Sequence, residues 1–339
     1  MAGADQDNLE AKIRRSIDAY HEAALVYAAV KLGLPDRLAT RPATASELAN
    51  ALELSPSHLA RFLRGLCSIG ICQELPNGAF ALTLGGQSLR TGSPSRLAEK
   101  VQIVIGQYWW PWANFQSNLK TGKPAFEQCF GMCVSDWRAK HAEEGALFDS
   151  CLAGKARAHA GPIVEALDLP GVKIIADIGG GYGGLLAALL KAHRHLQGLL
   201  FDRADIVAGA ESYLKSLGVA ERVRCVGGDI LSSIPVRADV YLLTGVLQQW
   251  DDPRALAILK NVRTPMLESA RLFVIERLLP ERAADDPAAI MLDLHMMTIS
   301  GGRARNFAEF DALLTQAGLK QSKVTPTLLG LTIIEAVPA

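Results

Sequence analysis

The alternation of apolar and polar residues divides the chain into stretches of different character. Over residues 8–34 apolar side chains return at three- and four-residue steps (Ile13, Ile17, Tyr20, Ala24, Tyr27, Ala28, Val30), which predicts a long helix. Its run AALVYAAV leaves it apolar around much of its circumference, so it needs cover on several sides, which suggests a partner chain. Thr44, with Glu47 three residues on, predicts a capping box that opens a short helix. Ser55-Pro56 opens the next, with Leu59, Phe62, Leu63 and Leu66 on one face and Gly70 at its end. The runs ICQEL and AFALT then flank Pro76-Asn77-Gly78, a hairpin signal.

Helix, turn, helix, hairpin is the pattern of a winged helix. Residues 96–168 follow, helical and rich in aromatics, with Trp109, Trp110 and Trp112 within four positions. Such density walls a pocket for a flat ligand or fills a core or interface, and spacing does not choose between them. From residue 172 short apolar runs alternate with amphipathic helices, the pattern of a doubly wound parallel sheet. VKIIADIG, GLLFD, RVRCVGGD, ADVYLLTG and ARLFVIER are the predicted strands, and VTPTLLGLTIIEAVP predicts a terminal hairpin. The expected boundary falls within 150–170, inside helical sequence.

Composition narrows the function classes. With 339 residues, at roughly 150 per domain, about two domains are expected. The 35 basic and 35 acidic side chains cancel, which argues against binding that depends on neutralising phosphates and against a polybasic membrane anchor. His58, Arg61 and Arg64 on the second helix of the winged helix invite a DNA reading. Residues 1–100 hold 11 Lys and Arg against 10 Asp and Glu, so packing or dimerisation is the better use of that element. The six cysteines lack the His or Cys partners of a zinc site, so reduced thiols and no metal are expected. MAGADQDNLEAK has no apolar leader segment, and no apolar run reaches the roughly 18 residues of a membrane span. A soluble cytoplasmic protein is expected.

The sharpest constellation is IIADIGGGYGG, which sets Asp177, Gly179, Gly181 and Gly183 between a strand and a helix. Glycines there let the backbone turn tightly and let a ligand reach main-chain N–H groups. Asp202 closes the next strand 25 residues after Asp177, where a carboxylate accepts from ribose hydroxyls. Gly228-Asp229-Ile230 follows the third strand, an acid and an apolar residue suited to the edge and face of adenine. The spacing D-x-G-x-G-x-G differs from the G-x-G-x-x-G of a dinucleotide site. Its leading acid repels phosphate and suits the positive amino-acid end of S-adenosylmethionine.

These residues resemble the two-domain class of small-molecule O-methyltransferases. LKTGKPAFEQCFG, IIADIGGGYGGLLAALL, FDRADIV, GGDIL, LQQWDDPRALAILKNVR and LDLHMMTISGGRARNFAEFDALLTQAGL fall in family order over nearly the whole chain. The resemblance implies an α/β fold, a Rossmann-like domain over 166–339 with a mainly helical winged-helix dimerisation domain over 1–100. A helical connecting region, 101–165, would line the acceptor pocket. It further implies a homodimer with interlocked N-terminal helices and S-adenosylmethionine as cofactor, leaving as S-adenosylhomocysteine. Arg203, Thr244 and Trp250 would join the cofactor residues named above. Trp109, Phe126, Phe148, Asp293, Met296 and Met297 would surround an aromatic acceptor.

The chain departs from that family where the proton is taken. The family's general base is a histidine two residues before the tryptophan of the W-D-D segment, and LQQWDD places Gln248 there. A glutamine amide hydrogen-bonds a hydroxyl but does not take its proton near neutral pH. Glu276 matches the first of two supporting glutamates, and Ala304 stands where the second is expected. General-base help is worth about 10²–10⁴ in rate, whereas alignment with a reactive methyl donor supplies roughly 7–11 kcal/mol. Transfer can therefore survive by proximity, best with an acidic hydroxyl, an amine or a nucleophilic carbon. His295 and, more weakly, Asp293 and Glu276 are the candidate substitute bases. The alternative is a family member that keeps the cofactor and carries out hydroxylation, decarboxylation or pericyclisation.

Overall fold

The computed structural model describes residues 2–339, with side chains from residue 8 onward. The first residues of the segment read for a leader therefore lie outside the described side chains. The chain divides into two compact units, one ending at Trp109 and one beginning at Trp110.

The first unit runs α1 (Ala2–Lys31), α2 (Leu34–Thr40), β1 (Ala43–Thr44), α3 (Ala45–Leu52), α4 (Pro56–Ser68), β2 (Cys72–Glu74), β3 (Ala79–Leu82), α5 (Leu84–Gln87) and α6 (Leu97–Gly106). The capping box forms: the Thr44 hydroxyl accepts from the Glu47 amide at 3.2 Å, and the Glu47 carboxylate accepts from the Thr44 amide at 2.7 Å. Ser55 does not cap α4; its hydroxyl lies 2.9 Å from Nδ1 of His58. Leu59, Leu63 and Leu66 are buried under α4 as their spacing predicts. The wing is a small antiparallel sheet in the order β1-β3-β2. Leu9, Ile13, Ile17 and Tyr20 form a stripe along α1 that is more than half exposed on the single chain.

The second unit begins with a run of helices that follow α7 (Trp109–Ala113): α8 (Phe115–Thr121), α9 (Ala125–Phe130), α10 (Val134–Lys140) and α11 (Ala142–Ala166). The wound sheet then alternates β4 (Ile174–Ile178), α12 (Gly184–Ala192), β5 (Gln197–Asp202), α13 (Ala204–Ser216), β6 (Val223–Gly227), β7 (Val240–Thr244), α14 (Asp252–Arg263) and β8 (Arg271–Glu276). It closes with α15 (Pro287–Ile299), α16 (Phe307–Gln316), β9 (Leu319–Pro326) and β10 (Thr332–Pro338). The five predicted strands and the terminal hairpin all form.

The break between units lies well before the 150–170 expected from sequence. Helix α11 packs along α12, and α8 and α9 pack on α15, so the aromatic helices bury their apolar faces on the sheet unit. Gly184 marks how closely α12 meets α11: a Cβ there would sit 3.2 Å from Ala156 and 3.3 Å from the Ala153 carbonyl.

The seven strands lie in the order β6-β5-β4-β7-β8-β10-β9. The first five are parallel, and β10 runs antiparallel to both β8 and β9. Both faces are covered, which is why these strands read as nearly continuous apolar runs. Ile175, Val240, Leu242 and Phe273 pack with Leu186, Leu189 and Leu190 on one side. Ala176, Tyr241, Leu243 and Leu272 pack with Ile258, Leu259 and Phe310 on the other. Strand order reverses between β4 and β7, so a crevice opens at their carboxyl ends, where open α/β sheets bind ligands. Among the described residues no helix is long and apolar enough to cross a membrane.

Candidate cofactor and acceptor site

The wound sheet delivers the predicted polar residues to one edge. Asp177 is the penultimate residue of β4, Asp202 ends β5, Gly228 and Asp229 follow β6, Thr244 ends β7 and Glu276 ends β8. Between β4 and α12 the chain passes through left-handed conformations at Gly179, Gly181 and Gly183, with φ of 70°, 59° and 76°. Side chains other than glycine are strained there. Gly180 is needed for space instead, since a Cβ would lie 2.5 Å from Cγ of Asp177.

Asp202 holds this turn together. One carboxylate oxygen accepts from the Gly181 amide and the other from the Arg203 amide, both at 2.7 Å. Each oxygen retains a second acceptor direction for a ligand hydroxyl. Burial pushes the pKa of this carboxyl up despite those amides. Asp177 is 1% exposed, and its Oδ1 has no hydrogen-bond partner. Burial first, then the charge of Asp202, pushes its carboxyl up to about 7. The Thr244 hydroxyl is likewise buried without a partner. Orphaned buried acceptors are costly, so this edge is built for a ligand that brings donors and positive charge. The ammonium and ribose hydroxyls of S-adenosylmethionine fit that requirement.

Other cofactor candidates are partly engaged. The Asp229 carboxylate accepts from the Leu231 amide and the Ser232 hydroxyl, both at 2.9 Å, which shapes the loop after β6. The Ile230 side chain packs on the core, and its carbonyl accepts from Asn261 at 2.9 Å. The Arg203 side chain pairs with Asp205, so only its main-chain amide serves Asp202. Trp250 packs against the core with the Arg254 guanidinium 5.2 Å from its ring centre.

The position of the missing base is well defined. Gln248 lies in a 3-10 turn (Leu247–Gln249) after β7, and its main-chain N–H donates to Oε1 of Glu276 at 3.1 Å. Glu276 is 1% exposed, and its Oε2 has no partner. Burial drives its carboxyl up to about 7, opposed by the Gln248 amide and the Arg305 charge. Gln249 is exposed and donates to the Gly245 carbonyl at 3.0 Å. Ala304 is fully buried, and its amide donates to Asp293 at 2.8 Å. Asp293 thus ties α15 to the loop before α16.

His295 is placed where the sequence puts it, but not as a base. Its Nδ1 accepts from the Trp112 indole at 3.2 Å, and the two rings stack 6.2 Å apart. Because an indole only donates, the neutral imidazole carries its proton on Nε2 and has no lone pair left there. Burial, then the positive charges of Arg138 and Lys155, lowers its pKa to about 4.

The aromatic helices complete the arrangement. Phe148 lies on α11 beneath the Arg138 guanidinium, 3.3 Å from its ring centre. Met296 and Met297 are partly buried on α15, and the Met297 carbonyl accepts from Asn118 at 2.9 Å. Phe126, expected to line the pocket, is wholly buried, with its ring against those of Phe130 and Trp137. Trp109 falls in the first unit, its ring 6.5 Å from Tyr20.

Two contributors have no assignment in the sequence reading. Arg305 is fully buried and donates to the carbonyls of Leu247 and Trp250 at 2.9 Å and to Asp252 at 2.9 Å, clamping the turn that carries Gln248. Its signal was the GGRAR segment itself. Asp149 bonds the Tyr182 hydroxyl of the glycine turn, and burial lifts its carboxyl to about 6. An acid inside the apolar run ALFDSCL was its only trace.

Comparison with known proteins supplies the family. An O-methyltransferase domain matches residues 112–320, and an O-methyltransferase dimerisation domain matches residues 15–84. The chain belongs to the S-adenosylmethionine-dependent O-methyltransferase family. The phenazine O-methyltransferase PhzM of Lysobacter antibioticus is 35% identical over 97% of this chain and 96% of its own. The mitomycin 7-O-methyltransferase MmcR superposes with a TM-score of 0.92 at 30% identity, over 99% of this chain and 100% of that one. The O-methyltransferase NcsB1 of neocarzinostatin biosynthesis, solved with S-adenosyl-L-homocysteine and 1,4-dihydroxy-2-naphthoic acid, gives 0.81 at 28% identity, over 94% and 96%. This methyltransferase of secondary metabolites accordingly uses S-adenosylmethionine.

The two buried acids make a pH prediction for the ligand-free methyltransferase. A carboxyl that titrates near 7 when folded and near 4 when unfolded binds more protons in the folded state between those values. Unfolding free energy then falls as pH rises, the contribution being whole below about 4 and lost above about 7. His295 acts in the opposite sense between about 4 and 6.5, so the test is a difference. Denaturant titrations should show the stability of the parent relative to Asp177→Asn falling from pH 5 to pH 8. A difference that stays constant, or rises, contradicts the assignment.

Proposed function

We propose that the chain transfers a methyl group to an acidic hydroxyl of a small, flat aromatic or polycyclic acceptor by alignment, without a histidine base. The observation that carries this is Gln248 at the head of an otherwise complete edge, backed by Glu276 with an oxygen unpartnered. S-adenosylmethionine, when bound, supplies a methyl on a positive sulfur that leaves as the neutral thioether of S-adenosylhomocysteine.

The residues of the chain do the rest. Asp177 takes the ammonium end, the glycine turn lets the ligand approach the backbone closely, Asp202 accepts from the ribose, and Asp229 with Ile230 holds the adenine. Phe148, Trp112, His295 and Met296 bound the acceptor, with water excluded by the aromatic wall. The Gln248 side-chain amide donates to the acceptor oxygen and orients its lone pair; no side chain here removes the proton. The acceptor therefore has to arrive ionised, which favours a hydroxyl more acidic than an ordinary phenol. The active form is a homodimer through the N-terminal helices, supported by the dimerisation domain and by the exposed apolar stripe of α1.

The test is a single-turnover assay with methyl-labelled cofactor and an acceptor panel of acidic phenols, amines and activated carbons. The expected result is label on oxygen with an equal amount of S-adenosylhomocysteine. Label on nitrogen or carbon refutes the choice of atom. Acceptor conversion without S-adenosylhomocysteine refutes transfer altogether and favours the non-methylating alternative.

A further inference from the structure

The glycine turn carries one large side chain. Tyr182 stands between Gly181 and Gly183 and is half-buried on the apolar layer that contains Ala210 and Leu214. It crosses α13 at Gly209, where a Cβ would come 2.9 Å from its hydroxyl oxygen and 3.0 Å from its ring. Tyr213, one turn further along α13, sets its ring 6.2 Å away. The hydroxyl ends on the Asp149 carboxylate of α11. Asp149, Ala153 and Ala156 follow at steps of four and three, so they share one face of α11. That face also meets Gly184, the first residue of α12. The turn and the start of α12 therefore bear on α11 together, one through a hydrogen bond and one through close packing.

Packing alone calls for an apolar residue at 149. Burial works against the charge of an acid there; Arg138 and Arg203 favour it, and Asp202 and Asp205 oppose it. A buried carboxylate needs a hydrogen-bond donor, and the Tyr182 hydroxyl is one. Asp202 secures the same turn from β5, accepting from the Gly181 amide at 2.7 Å. Adjacent residues thus have different duties: Gly181 ties the turn to the sheet, and Tyr182 ties α11 to the turn. Phe148, next to Asp149, belongs to the wall assigned to the acceptor.

We propose that Asp149 and Tyr182 are a positioning pair through which a seated cofactor fixes α11, so that the acceptor wall is ordered once the methyl donor is in place. This rests on the reading of α11 as part of the acceptor wall, and it adds the residues that link that wall to the cofactor turn. The pair touches neither reacting atom. Because transfer here depends on alignment, holding Phe148 in register with the turn acts directly on the step that Gln248 does not assist. By linkage, a bound acceptor tightens the cofactor by the same factor.

The test is amide hydrogen exchange on the full chain, with and without S-adenosylhomocysteine. In the parent the ligand should slow exchange about tenfold over residues 145–153 as well as over the turn, 178–185. Tyr182→Phe keeps the ring over Gly209 and removes only the hydroxyl. In that variant, and in Asp149→Ala, the slowing over 145–153 should fall below about threefold while that over the turn persists. Asp149→Asn still offers an oxygen to the hydroxyl and should retain the parent response. The double variant Tyr182→Phe/Asp149→Ala should lose no more than either single one. Thermal melting and affinity for S-adenosylhomocysteine report on the folding of each variant; a merely structural contact would lower melting without separating α11 from the turn. No slowing over 145–153 in the parent, or slowing untouched by Tyr182→Phe and Asp149→Ala, overturns the proposal. Acceptor kinetics are scored separately. Lost coupling with acceptor KM and kcat unchanged overturns the reading of α11 as acceptor wall and leaves the pair standing. A raised acceptor KM with exchange over α11 unchanged does the reverse.

Discussion

Gln248→His should accelerate methylation of an ordinary phenol on the order of 10²-fold, the lower part of the range for general-base catalysis. The backbone amide of residue 248 is already fixed on Oε1 of Glu276, and Oε2 of that buried carboxyl has no partner. An imidazole introduced above it finds an acceptor for its Nδ1–H, which leaves the Nε2 lone pair for the acceptor hydroxyl. With Glu276 titrating near 7, the carboxylate is largely ionised at pH 8 and able to orient the ring. The gain stays below the top of the range because Ala304 leaves the second supporting acid absent. Acceptors that are already ionised need no base, so their rate should change little. The readout is the ratio of single-turnover rates for a phenol of pKa about 10 and one of pKa about 7. An equal effect on both, or none on either, contradicts the role given to residue 248.

Arg305→Met should destabilise the second unit by about 3–5 kcal/mol, the range for removing one partner of a buried charged network. Arg305 is fully buried and satisfies two carbonyls of the 247–250 turn as well as Asp252. A methionine fills much of the volume but leaves those acceptors without donors. It also removes a positive charge that opposes the upward displacement of Glu276, so the turn beneath the acceptor loosens and its acid protonates more readily. Arg303 is the control. It pairs with Asp252 and Glu309 but is 41% exposed, and Arg303→Ala should cost less than about 1 kcal/mol. Denaturant unfolding followed by tryptophan fluorescence separates the two. Equal and small losses would mean that water serves the carbonyls that Arg305 now serves.

Features with local causes were legible in the sequence. The Thr44–Glu47 box, the glycine turn after β4 and the strand edges near Asp177, Asp202 and Glu276 follow from spacing within a few residues. Partner choice across long separations was not. Asp293 and Arg203 looked like site residues by position, yet the first is taken by the Ala304 amide and the second by Asp205. Phe126 looked like a pocket wall because it is aromatic, whereas Phe130 and Trp137 close over it. The unit boundary was misplaced for the same reason. Nothing local in 110–166 says that its apolar faces are buried on α12 and α15. His295 was found, but its tautomer depends on Trp112, 183 positions away.

The central claim is that the chain aligns an already ionised acceptor and does not deprotonate it. The most direct measurement is the single-turnover rate of labelled methyl transfer against pH for acceptors of graded hydroxyl pKa. The account predicts that the midpoint of each profile moves with the acceptor, tracking its bound ionisation. A common midpoint for all acceptors, set by a group on the protein, would contradict it.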